Sequence, residues 1–221
     1  MSVHAGDMRV ARARMVSEQL QAAGLADPRV LAAMREVPRH LFVPKLLRHR
    51  AYQPCALPIG FGQTISQPFT VGLMTALCEL AGGESVLEVG TGSGYQAAVL
   101  ARLAGSVVTI DRVPSLCRRA AAVLDELGYE NVEVVPADGT EPLASRGPFD
   151  VVVVTACAER LPETLYRQLR DGGRLIVPLG TGERQTLYRF HRNGDNPRIE
   201  RSVPCRFVPL VRGLAREAAG A

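Results

Sequence analysis

From residue 84 onward the chain alternates short apolar runs with helical segments, and each run is apolar at odd and even positions alike. A strand apolar on both faces must be covered on both faces, so the pattern calls for a parallel sheet between helices, not an antiparallel sheet wet on one side. The runs are 85–90 (SVLEVG), 107–111 (VVTID), 131–138 (NVEVVPAD), 149–156 (FDVVVVTA) and 174–180 (RLIVPLG). Helical patterns lie between them at 94–104, at 114–128, closed by Gly128, and at 161–173, ending in glycines. Two last runs, 185–192 and about 199–209, have no helix between them and predict an antiparallel finish. The expected fold is a doubly wound α/β domain with a mostly parallel, seven-stranded sheet. Ahead of it lies a helical extension. Residues 8–23 carry apolar positions at helical spacing, and a second helix starts with Asp27 as N-cap and Pro28 at its first position and stops near Val37. Residues 38–62 hold four prolines and read as a short helix over Leu41–Leu47, then extended loop. A helical stretch over about 68–81 precedes the first strand.

In a doubly wound sheet, ligands sit beyond the carboxyl ends of the strands at the switch point. The first strand ends there in Glu88-Val89-Gly90-Thr91-Gly92-Ser93-Gly94. Glycines at alternate positions let the backbone turn sharply and approach a ligand closely. Asp111, at the end of the second strand, is placed to accept hydrogen bonds from a ribose diol. Asp138-Gly139 closes the third strand, where an adenine edge would lie. A dinucleotide fingerprint spaces its glycines G-x-G-x-x-G; here the third comes one residue early. Glu88 is awkward beside a pyrophosphate but suits a ligand with positive charge, an ammonium or a sulfonium. These features favour S-adenosylmethionine over a nicotinamide dinucleotide. Blander readings stay open: a plain strand-to-helix turn, with Glu88 as a buried acceptor under the glycine loop.

Composition removes other classes. The longest apolar stretch, Val151 to Ala158, falls far short of the roughly 20 residues a membrane helix needs. The N-terminus has no apolar core of a secretory signal, and the five scattered cysteines include no C-x-x-C pair. Reduced thiols in a cytoplasm are therefore expected. The four histidines show no ligand spacing, so no metal is expected. The net charge of +4 is carried by residues 1–50, with nine basic and four acidic residues against 17 and 18 in the rest. A neutral body without tryptophan, and without a basic stripe interleaved with aromatics, argues against a nucleic-acid partner.

The segment before the sheet reads Leu57-Pro-Ile-Gly-Phe-Gly-Gln-Thr-Ile-Ser-Gln-Pro-Phe69. It places Gln63, Thr64 and Ser66 on a loop, with Ser66 either an N-cap of the next helix or a functional hydroxyl. GQTISQPF, VLEVGTGSGYQAAVLA, ADG, PFDVVVVTACAERLP, QLRDGGRLIVPLG and RFVPL occur in one order and at one set of spacings. In this the chain resembles the protein-L-isoaspartate (D-aspartate) O-methyltransferases over roughly residues 8–213. The resemblance implies a Rossmann-like class I methyltransferase with an N-terminal extension (1–62), a catalytic domain (63–213) and a C-terminal tail (214–221). It implies methyl transfer from S-adenosylmethionine, leaving S-adenosylhomocysteine, to the α-carboxyl of L-isoaspartyl residues in damaged proteins and peptides, and repair through a succinimide. It assigns Ser66 and Thr64 to catalysis, and Gln63, Ile65, Glu88, Gly90, Gly92, Gly94, Asp111, Asp138 and Gly139 to the cofactor. A cytoplasmic monomer is expected. Family members commonly carry an acidic residue shortly after the tyrosine of the Ala51-Tyr52-Gln53-Pro54-Cys55 run, and this chain has none. That departure keeps a sister activity open, a carboxyl methyltransferase acting on aspartates of a biosynthetic peptide.

Overall fold

The computed structural model describes residues 5–143 and 146–215. Helix α1 (Ala5–Arg14) runs into a π-wound turn (Met15–Gln21) that buries Met15, Val16 and Leu20. Helix α2 (Pro28–Glu36) starts as expected: the Asp27 carboxylate accepts from the Arg29 and Val30 amides, and Pro28 needs no partner there. The single helix expected over Leu41–Leu47 is instead two 3₁₀ turns, Arg39–Phe42 and Lys45–Arg50. Pro44 separates them, because it lacks an N–H and holds Val43 extended.

The segment read as loop is a hairpin, β1 (Leu57–Gly60) antiparallel to β2 (Gln63–Ile65). Leu57, Ile59 and Ile65 point inward and the alternate residues outward, the period expected of a strand. Pro58, Gly60 and Gly62 hide that period in the sequence. Then come α3 (Pro68–Leu77), β3 (Ser85–Val89), α4 (Tyr95–Ala101), β4 (Ser106–Asp111), α5 (Pro114–Glu126), β5 (Val132–Pro136) and β6 (Phe149–Val154). The chain finishes with α6 (Glu163–Arg167), β7 (Leu169–Thr181), β8 (Arg184–His191) and β9 (Arg198–Cys205).

The helix expected over 161–173 is therefore short. Its last residues belong to β7, where Leu169 pairs with Phe149 and the Gly172 amide bonds the Arg192 carbonyl. Leu165, Tyr166 and Leu169 are all buried, so helical spacing and strand burial agree on these residues, and pairing partners decide between them.

Strands β3 to β9 form one sheet in the order β5-β4-β3-β6-β7-β8-β9. The first five are parallel and the last two antiparallel, as the alternation predicted. From β3 the chain moves outward through β4 and β5, then returns to β6 on the other side. That reversal opens a crevice at the carboxyl end of β3. Side chains alternate between two cores. Val86, Val107, Val151 and Val153 pack with α3 and α4, whereas Leu87, Val89, Val152 and Val154 pack with α6. The N-terminal segments share a core with residues of α4 and α5. The boundary expected at residue 62 falls in the turn between β1 and β2. The expected tail lies outside the described residues from 216 on.

Asp27→Ala frees two amides at the start of α2 and is expected to cost about 1 kcal/mol. Calorimetry should then show Tm lowered by about 2–4 °C.

Candidate functional site

The crevice at the tip of β3 begins with the glycine turn. Gly90 has φ +103° and its amide, with that of Thr91, donates to the Ile110 carbonyl. A side chain at Gly90 would collide with Thr155 Oγ1, which itself donates to the Gly90 carbonyl at 2.7 Å. Gly92, at φ +51°, presents its amide to Asp111 Oδ2 at 2.8 Å. Asp111 Oδ1 accepts from the Val113 amide at 2.9 Å. One carboxylate thus ties the turn after β3 to the turn after β4. Each oxygen accepts one amide and keeps a lone pair for a ligand.

A cavity of about 730 Å³ opens over this turn. Gln63, Thr64 and Ser66 line one wall, Gly90, Gly92 and Asp111 the floor, and Gly139 a corner. Residues 203–211, at and beyond the end of β9, close the far side with Phe207, Val208 and Leu210. Seven of the residues singled out in the sequence therefore meet around one space, although hairpin and glycine turn are 24 residues apart at Ser66 and Gly90.

Four others do not line it. Ile65 is buried and pairs with Leu57. Gly94, at φ +85°, begins α4, and a side chain there would press on Ala120 of α5. Asp138 folds its own turn: Oδ1 accepts from the Thr140 amide and hydroxyl, and Oδ2 from the Gly213 amide. Burial alone would raise its pKa, but those bonds and the Arg212 charge outweigh it and hold the carboxyl below its ordinary value. Glu88 is fully buried on the α3/α4 face, aligned with Thr109, whose hydroxyl donates to Glu88 Oε2 at 2.6 Å. Thr91 Oγ1 lies 2.7 Å from Thr109 Oγ1, and Glu88 Oε1 has no hydrogen-bond partner among the described residues. Burial drives the Glu88 pKa up to about 8; the Thr109 bond opposes this and the Asp111 charge adds to it. At neutral pH this group is mostly a neutral acid beneath the turn, not the fixed negative charge that its position in the motif suggested.

Ser66 is not a helix cap. Gln67 takes that place, with no side-chain cap bond, and Pro68 follows at the first helical position. Among the described residues, no group of three or more His, Cys, Asp or Glu could hold a metal ion.

Residues 11–215 match the family model described as Protein-L-isoaspartate(D-aspartate) O-methyltransferase. The chain belongs to this family. It is 48% identical to protein-L-isoaspartate O-methyltransferase 2 of Geotalea uraniireducens, over 93% of this chain and 95% of that one. It is 50% identical to the protein-L-isoaspartate O-methyltransferase of Methanoregula boonei, over 90% and 92%. Among solved structures, a protein-L-isoaspartate O-methyltransferase is similar with a TM-score of 0.81 and 29% identity, over 94% of this chain and 67% of that one. A Plasmodium falciparum chain in complex with S-adenosyl-L-homocysteine shares the fold, with a TM-score of 0.79 and 24% identity over 90% and 98%. The fold is the Rossmann-like one of class I methyltransferases.

Within this family fold, three features of the site escaped sequence reasoning. Thr155 is the one hydroxyl inside an otherwise apolar run, a signal that was available. Residues 203–211 reach the cavity only because β9 pairs back onto β8. Arg39 is fully buried, and its Nη2 donates to the Ser66 carbonyl at 2.6 Å. Burial lowers its pKa to about 10. No local pattern marks an arginine beside a proline as buried.

Glu88 sets a pH dependence. The folded chain holds a proton that the unfolded chain, with the ordinary value of 4.5, releases. The contribution of this group to stability therefore falls as pH rises from about 4.5 to about 8, and levels off above that. Glu88→Gln, a mimic of the protonated acid, should remove this slope. Urea unfolding across the window should show the difference between wild type and variant moving against the wild type as pH rises; parallel curves would contradict a protonated Glu88.

Proposed function

We infer that this chain is a protein-L-isoaspartate O-methyltransferase. It uses S-adenosylmethionine to methylate the α-carboxyl of L-isoaspartyl residues in proteins and peptides, initiating repair through a succinimide. One observation carries this reading: the family match spans nearly the whole chain, and GQTISQP, the motif most particular to it, opens on the same cavity as the glycine turn VGTGSG.

The cavity fits the cofactor. Its volume lies within the usual range of small-molecule sites, roughly 300–1,000 Å³. The glycine turn presents backbone with no side chain in the way, and Asp111 keeps lone pairs free for a diol. We assign Gly90, Gly92, Asp111 and Gly139 to its binding surface, with Gln63 at its edge. Ile65, Glu88, Gly94 and Asp138 support that surface from behind. S-adenosylmethionine supplies a methyl group already activated on a sulfonium.

The task left to the protein is modest in chemistry and strict in geometry. The acceptor carboxyl has an ordinary pKa near 4 and is ionised at neutral pH, so no general base is needed. Thr64 and Ser66 offer hydroxyls at the cavity wall that can donate to this carboxylate and aim it. A strong bond to the ground-state anion would slow attack, so we assign them orientation, which can be worth about 7–11 kcal/mol in favourable cases. We place the reaction in the cytoplasm on a single chain, with no nucleic-acid partner. The neutral body of the sequence argues against a nucleic-acid partner, and among the described residues no helix is long and apolar enough to cross a membrane.

The test is methyl transfer to paired peptides differing only in an isoaspartyl or an aspartyl linkage. Label should enter the isoaspartyl peptide; label in the normal peptide alone would overturn the repair reading in favour of an aspartate methyltransferase. Ser66→Ala should lower turnover while S-adenosylhomocysteine affinity stays near wild type. Asp111→Asn keeps the size of the side chain but weakens its charge-assisted bonds, worth about 1.5–3 kcal/mol. Calorimetry should show a severalfold or greater loss of S-adenosylhomocysteine affinity; an unchanged Kd would remove Asp111 from the cofactor surface.

A further inference from the structure

Arg39 has no part in the assignments above, yet its placement is costly. It is fully buried, and no carboxylate lies within ion-pair distance among the described residues. A buried cation without a counter-ion is unfavourable, and an apolar side chain of similar volume would pack there at less cost. What surrounds the guanidinium is two carbonyls and a ring. Nε donates to the Ala51 carbonyl at 2.7 Å and Nη2 to the Ser66 carbonyl at 2.6 Å. Its guanidinium carbon lies over the Tyr95 ring, 4.9 Å from the ring centre. Nη1 has no partner.

These contacts join the cavity wall to the start of α4 and to the N-terminal segments. Ser66 follows β2 and lines the cavity. Tyr95 is the first residue of α4, directly after Gly94, at the back of the glycine turn. Ala51 precedes Tyr52, which is itself held by Gln19 at its carbonyl and by His40 at its hydroxyl. Fixing the Ser66 carbonyl fixes the Ser66–Gln67 peptide plane, and with it the position of the Cα from which the Ser66 side chain leaves. A guanidinium can do this while its cationic carbon sits over an aromatic ring, because its donors form a rigid fork. A lysine ammonium has neither the fork nor the flat face.

We infer that Arg39 is a positioning residue for methyl transfer: acting through the Ser66 carbonyl, it holds the Ser66 hydroxyl at a set height and angle above the glycine turn. The inference rests on the methyl-transfer reading and on the role given there to Ser66. Small misplacements of an aligned group are costly to rate and need not alter binding.

The test is a cycle of Arg39→Lys and Ser66→Ala, singly and together, in the full-length enzyme. Arg39→Lys should lower kcat by about 10–100-fold. Peptide KM and the Kd for S-adenosylhomocysteine should stay within about threefold of wild type, a split that general loosening of the fold would not give. The double variant should be no more than about twofold slower than the slower single variant, since both changes remove the same alignment. Losses that multiply, or an Arg39→Lys enzyme with wild-type kcat, would overturn the inference. Amide hydrogen exchange reads the clamp without activity. Faster exchange in the segment 62–67, with 85–89 unchanged, is expected in Arg39→Lys; protection lost equally in both would overturn it. Should Arg39→Lys not fold, Arg39→Met, which removes the buried charge, takes its place under the same readouts. A wild-type enzyme inactive on isoaspartyl peptides would sink the methyl-transfer reading, and the exchange result would still decide whether Arg39 holds the loop.

Discussion

Strand β3 has neighbours on both edges and apolar cores on both faces; the chain builds one side of it through β4 and β5, then returns to lay β6 on the other. Everything functional in the molecule depends on that constraint. Parallel pairing forces each connection to cross a face of the sheet, and the reversal at β3 leaves its carboxyl end uncovered by either set of crossovers. The glycine turn lies at that opening. The Asp111 carboxylate then braces it from the neighbouring strand, through the Gly92 and Val113 amides.

The acids around this opening illustrate how environment divides a common chemistry. Asp111 sits at a strand end among backbone donors, and Asp138 is held below its ordinary pKa by amides of its own turn and of Gly213. Glu88 stands two residues before the first glycine but points into the sheet's covered face, where the Thr109 hydroxyl donates to it and burial raises its pKa to about 8. One residue of alternation along β3 separates a side chain facing α4 from one facing α6. That geometry, and not the identity of the acid, makes Glu88 a protonated strut.

The wall of the cavity facing the glycine turn is built differently. It comes from a short hairpin, with a turn at Phe61-Gly62, and from the segment beyond β9. A two-stranded hairpin has little stability alone. This one is anchored by Leu57, Ile59 and Ile65 in the N-terminal core, and the residue just after it is gripped by Arg39. The N-terminal extension therefore acts on the site indirectly, by fixing where the Ser66 loop stands relative to the glycine turn.

Much of this was legible in the chain itself. The alternation of fully apolar runs with helices dictated a parallel sheet, because strands with two apolar faces have no other stable setting. Gly90-Thr91-Gly92 and Asp111 marked the open carboxyl end of the sheet, because glycine permits the sharp turn there and a carboxylate can take up its amides. Asp27-Pro28 marked a helix start by capping chemistry that acts within three residues. Local signals failed where the deciding partner lay far along the chain. Leu169 became strand because Phe149 was there to pair with it. The run 57–65 became a hairpin despite its proline and glycines, because its apolar side chains had a core to enter. Arg39 became a buried clamp because Ala51, Ser66 and Tyr95 converge on it. Backbone preference and periodicity belong to a few neighbouring residues and can be read from them; burial, pairing and the protonation of Glu88 are set by contacts between distant ones, and exist only once the chain has folded.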